Sequence, residues 1–184
     1  MSIILSSLRN TVVAGLILAL LLLLTFSTWG IVDTSSFSDQ AFYSFIFRWL
    51  HVLSAIMWIG LLWYFNFVQI PNMPNIPDDQ KPAISKVIAP AALWWFRWSA
   101  MATVATGLIL GYLNGYLESS MTLGFRGDGA PQHIAIGIGM WLGIIMFFNV
   151  WFVIWPNQKR ALGIVSVAAD VKAASARTAM LFSR

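Results

Sequence analysis

From Thr11 to Val32 the chain runs through a leucine-rich stretch without one charged side chain. About 20 consecutive apolar residues are enough for a helix to cross the hydrocarbon of a bilayer. In lipid every backbone N–H and C=O needs a partner within the protein, so a spanning segment must be a helix or part of a closed barrel. Three more apolar runs follow, at Ala41 to Ile70, Val87 to Asn114 and His133 to Trp155, the last stopped by Pro156. The composition agrees: 59% of residues are hydrophobic and 10% are charged, against roughly 25% charged in soluble domains. The expected fold is all-α, an integral membrane four-helix bundle over residues 1–160, with a cytoplasmic or interfacial tail at 161–184.

The first run has Arg9 before it, as a signal peptide would. It is long, however, and Thr25 to Gly30 offers no clear Ala-x-Ala-like cleavage site, so an uncleaved helix is expected. Lys and Arg set the orientation. Arg9, then Lys81 and Lys86, then Lys159, Arg160, Lys172, Arg177 and Arg184 all fall on one side, which places both termini in the cytoplasm. The opposite loops hold Arg126 with Asp33, Asp39, Glu118 and Asp128. The net charge of +4 therefore reads as topology, in the inner membrane of a bacterium, with the lipid bilayer as a partner and no nucleic acid. The Ile70 to Pro77 loop is proline-punctuated and expected to be irregular, and Gly124 to Pro131 reads as a turn region. The tail beyond Pro156 reads either as an Ala-rich amphipathic helix along the membrane or as the approach to a further span.

Two groups stand at depth in the second run. Arg48 and His51 are three residues apart, and Ala55 and Trp58 continue the same helical stripe. Burying such groups in hydrocarbon is costly, so they face a partner or a cavity. No carboxylate lies in any expected span. That argues against proton relays and cation-coupled transport, which place a carboxylate at depth. Haem b answers the missing partner, because it brings two propionates of its own. The imidazole of His51 would ligate iron, Arg48 would pair with a propionate, and Trp58 would share the site. The competing reading is a hydrogen-bonded structural histidine.

Arg97, among Trp94, Trp95 and Trp98, is either a second propionate contact or an arginine held by cation–π contacts or snorkelling to the interface. His133 is the other histidine of the two in the chain. It is either a second axial ligand or a capping residue, and His51 should lie about 15 Å deeper, at 1.5 Å per residue. There are no cysteines, which excludes disulfides, iron–sulfur ligation and a Cys-x-x-Cys-His haem. No nucleotide loop, catalytic triad or paired carboxylates occur. Gly107, Gly111 and Gly115, and Gly139 and Gly143, are spaced by four and read as bundle packing. Asn66 and Asn149 read as interhelical polar contacts.

Three stretches resemble one family. Arg48 to Gln69 reads RWLHVLSAIMWIGLLWYFNFVQ, Met146 to Arg160 reads MFFNVWFVIWPNQKR, and Ala91 to Trp98 reads AALWWFRW. Together they are similar to the N-terminal membrane domain of bacterial membrane-bound urate oxidases (urate hydroxylase, PuuD type). The resemblance implies oxidation of urate towards 5-hydroxyisourate, with electrons leaving to a cytochrome c. The chain departs from that pattern by having about half the family's membrane helices and no cytochrome c domain. The His51 helix is also similar, more weakly, to small haem-binding membrane proteins of the HemJ and CopD type. The leading expectation is a haem b-binding subunit that passes electrons within a larger redox complex, beside other membrane subunits or a second copy. The alternatives are an accessory subunit without catalytic function, and part of a urate-oxidising enzyme served by a separate cytochrome c.

Overall fold

The computed structural model describes residues 2–31, 33–127 and 129–184. Val32, the expected end of the first span, and Asp128, counted among the outer charges, lie outside the described residues. Among the described residues the protein is all-helical, with 82% in helices. Among the described residues three helices are long and apolar enough to cross a membrane: α1 (Leu8–Thr28), α2 (Gln40–Asn75) and, numbered in chain order, α5 (Pro131–Ala161). Between them lie α3 (Ala89–Leu113) and the short α4 (Leu117–Met121). A last helix, α6, covers Ala169–Phe182.

The chain divides into two units, Met1–Tyr43 and Ser44–Arg184. In the first, α1 buries none of its side chains. Its leucines are exposed all round, the surface of a helix made for lipid or for another protein. In the second unit α2, α3 and α5 pack together, with α6 against the end of α5.

In the second unit α3 is the central helix. It is less apolar than the other long helices because it carries Arg97, Ser99, Thr103 and Thr106, and it is the most buried. Leu93, Phe96 and Ala100 follow the helical period into the core. Trp58 and Phe65 come from α2, and Val150 and Ile154 from α5. Phe65 meets Phe96 edge to face, with ring centroids 5.8 Å apart, and Trp98 meets Trp151 the same way at 5.6 Å. In lipid this close packing replaces the hydrophobic effect as the force between helices. The hydroxyls of Ser99, Thr103 and Thr106 are satisfied within α3, donating to the carbonyls of Phe96, Ser99 and Ala102.

Two expectations about helix ends are corrected. Neither Pro71 nor Pro156 stops its helix: α2 runs on to Asn75 and α5 to Ala161. The reason is a change of winding before each proline. Tyr64–Gln69, Ile84–Ile88 and Asn149–Ile154 are π-helical, and Pro71, Pro90 and Pro156 each stand two residues beyond. Proline has no N–H to give and crowds the carbonyl four residues back. A local π turn opens the ladder there and lets the helix continue.

The tail contains a helix. α6 packs against the last turns of α5, burying Ser175 and Ala179. The amide of Asn66 donates to the carbonyl of Ser183 at 2.9 Å, and that of Asn149 to the carbonyl of Phe182 at 2.6 Å. Both asparagines lie in π segments. They supply partners for the carbonyls that a helix C-terminus leaves open. At the other end of the unit α4 lies across α5, and the indole of Trp141 donates to the carbonyl of Met121 at 2.9 Å.

Candidate functional site

The imidazole of His51 reaches from α2 to α3. Its Nδ1 lies 2.9 Å from the backbone carbonyl of Thr103 and 3.3 Å from Oγ1 of Thr106. A carbonyl oxygen can only accept, so Nδ1 carries the proton and donates it. In the neutral ring with Nδ1 as donor, Nε2 is the nitrogen that carries the lone pair. Gly107 makes this approach possible: a Cβ there would stand 3.0 Å from Cε1 and 3.2 Å from Nδ1 of His51. The glycine spacing on α3 thus has a specific use at position 107, beyond general packing.

His51 lines a cavity of about 370 Å³ between α2, α3 and α5. Its walls are mostly apolar. Trp58 lies two turns along α2 from His51; α3 gives Thr103 and Gly107, and α5 gives Gly139, Met140 and Gly143. A Cβ on Gly139 or Gly143 would meet nothing within 4 Å, so these glycines border open space. The Nε1–H of Trp58 is buried with no acceptor among the described residues.

The other sequence-nominated residues lie elsewhere. Arg48 is exposed and does not line the cavity. Arg97 is buried at 8% exposure, with its guanidinium carbon 3.2 Å from the ring centroid of Trp155 and 6.0 Å from that of Trp151. Its Nε and Nη1 have no hydrogen-bond partner among the described residues. That is the cation–π arrangement, formed with tryptophans of α5 and not with the Trp94, Trp95 and Trp98 beside it in sequence. His133 stacks on Tyr116, ring centroids 5.5 Å apart, one helical turn before the cavity residue Ile136. The structure thus brings His51 and Trp58 together and leaves Arg48, Arg97 and His133 outside the lining.

Sequence reasoning missed Thr103, Thr106 and Met140. Nothing in the sequence could show which α3 carbonyl His51 would meet, whereas the glycine at 107 was a usable signal. No group of three or more His, Asp and Glu capable of holding a metal ion occurs among the described residues. What the cavity wall offers is one imidazole nitrogen, of His51, and one thioether, of Met140. That donor set fits a metal whose other in-plane ligands arrive with it, as in a porphyrin. No family model, no curated protein and no solved structure matches the chain.

Proposed function

We propose that this protein is a haem b-binding membrane subunit that carries electrons within a larger redox complex. One observation carries the reading: His51 holds its Nδ1 proton on the Thr103 carbonyl, which leaves Nε2 free to ligate at an apolar, glycine-walled cavity. Metal-bound histidines are oriented in this way, by donating their other N–H to a carbonyl or carboxylate. The bound group would supply one-electron chemistry, and the chain would supply an axial nitrogen, dry walls and the Trp58 N–H. Arg48 lies one turn from His51 and is the cation best placed by sequence to meet a propionate at the cavity mouth.

In this reading α1 joins the other helices in a four-helix bundle, both termini are cytoplasmic, and the membrane is the inner membrane of a bacterium. The three stretches similar to urate oxidase membrane domains suggest a cytochrome c as electron acceptor. The test is a reduced-minus-oxidised visible spectrum of gently solubilised protein, beside His51→Ala. A b-type spectrum that is lost in the variant supports the reading; no haem in either protein sinks it.

A second reading is favoured by α1. A membrane helix that buries none of its side chains suits an accessory subunit that packs against partners. It predicts stable co-purification with a complex, unaffected by His51→Ala.

A further inference from the structure

We propose that the thioether of Met140 is the second axial donor at the His51 cavity. This inference rests on the haem reading above. Among the side chains lining the cavity, only His51 and Met140 carry an atom suited to ligate iron. The hydroxyl of Thr103 is committed to the Ser99 carbonyl at 2.7 Å. The two donors come from different helices, α2 and α5, which both face the same space.

The surroundings of Met140 distinguish it from a core filler. Methionine commonly plugs gaps in cores, and Met146 on the same helix does so, packed against the buried cluster. Met140 is only half-buried and takes no part in that cluster. Its neighbours on the cavity wall are Gly139 and Gly143, where even a Cβ would touch nothing. Glycine costs a helix about 1 kcal/mol relative to alanine, and these two are not compensated by contacts within the chain. They leave open space on the same wall as Met140.

Charge points the same way. The cavity wall holds no carboxylate and no thiolate, so neither ligand would bring charge. A neutral imidazole and a neutral thioether would leave the iron–porphyrin core, apart from its propionates, neutral in the ferrous form and cationic in the ferric form. Burying that cation in an apolar site is unfavourable, and thioether ligation raises the potential further. The protein would therefore hold its iron in the reduced form at a comparatively high potential.

The test uses the full chain, wild type and variants, loaded with iron protoporphyrin IX in detergent. Met140→Leu nearly conserves volume and is expected to fold. It should keep the haem but turn from low-spin to high-spin, bind carbon monoxide, lose the near-infrared band of thioether-ligated ferric haem and shift to a lower midpoint potential. Met140→His should restore a low-spin spectrum at a potential below wild type. His133→Ala should change none of these. A Met140→Leu protein with the wild-type spectrum and potential overturns the assignment while leaving the haem reading intact. A wild-type protein that takes up no haem overturns both.

Discussion

A single hydrogen bond decides what His51 can do. Its geometry fixes the tautomer, and the tautomer exposes Nε2. Gly107 is the residue that permits it; under the proposed haem reading, Gly107→Val should displace the imidazole and weaken uptake of added haem by about 10–100-fold, the range for losing an outer-shell support. Haem titration measures this. On α5, neighbouring glycines should respond with opposite sign. An Ala side chain at Gly137 would run into the backbone carbonyl of Ser120, and Gly137→Ala should destabilise by about 1–3 kcal/mol. Gly139 borders open space, and Gly139→Ala should stabilise by about 1 kcal/mol through helix propensity. Thermal unfolding of both variants in one detergent checks the pair. Arg97 depends on the Trp155 ring beneath it. Trp155→Leu should cost about 2 kcal/mol, as for a desolvated cation–π contact. Adding Arg97→Met should recover much of that loss, because the buried charge goes with its partner. A double-mutant cycle measures the coupling.

At the scale of elements, the three prolines and the three π segments form one device repeated on three helices. Each proline opens the hydrogen-bond ladder ahead of it, and on α2 and α5 the opened stretch carries an asparagine to the end of α6. Asn66→Leu and Asn149→Leu should each cost α6 about 1 kcal/mol of docking free energy, the usual net worth of one hydrogen bond. Hydrogen exchange over residues 169–182 should rise in each variant and rise further in the double variant. Pro156→Ala should act on the same readout from a distance, by allowing α5 to rewind and turn Asn149 away. An unchanged exchange profile in Pro156→Ala would show that the winding does not depend on the proline.

At the scale of the whole molecule, the proposed topology rests on the distribution of charge. The basic residues at Lys81, Lys86, Lys159 and Arg160 lie at the end where the π segments and α6 gather, and the α4 end holds Arg126 alone. Because the chain has no cysteine, single cysteines report orientation cleanly. Phe125, 92% exposed, should be labelled from outside the cell when replaced by Cys. Gln80→Cys should be reached by a membrane-impermeant reagent only after the membrane is opened. The reverse pattern would invert the topology.

The sequence alone determined the material of this protein: apolar runs of bilayer length, helical because lipid offers the backbone no other partner, with His51, Arg48 and Arg97 interrupting two of them. It also pointed to His51 and Trp58 as neighbours, since residues seven apart return to the same helix face. It could not say how far each helix is rotated or what stands across from it. Those relations decided that His51 meets the Thr103 carbonyl, that Arg97 finds Trp155, and that His133 stops a turn short of the cavity. Continuation through Pro71 and Pro156 was decided there too, because a lost N–H ends a helix only where no neighbouring turn can rewind to absorb it. Sequence period reports which residues share a face; only tertiary packing supplies the partner that gives a face its chemistry.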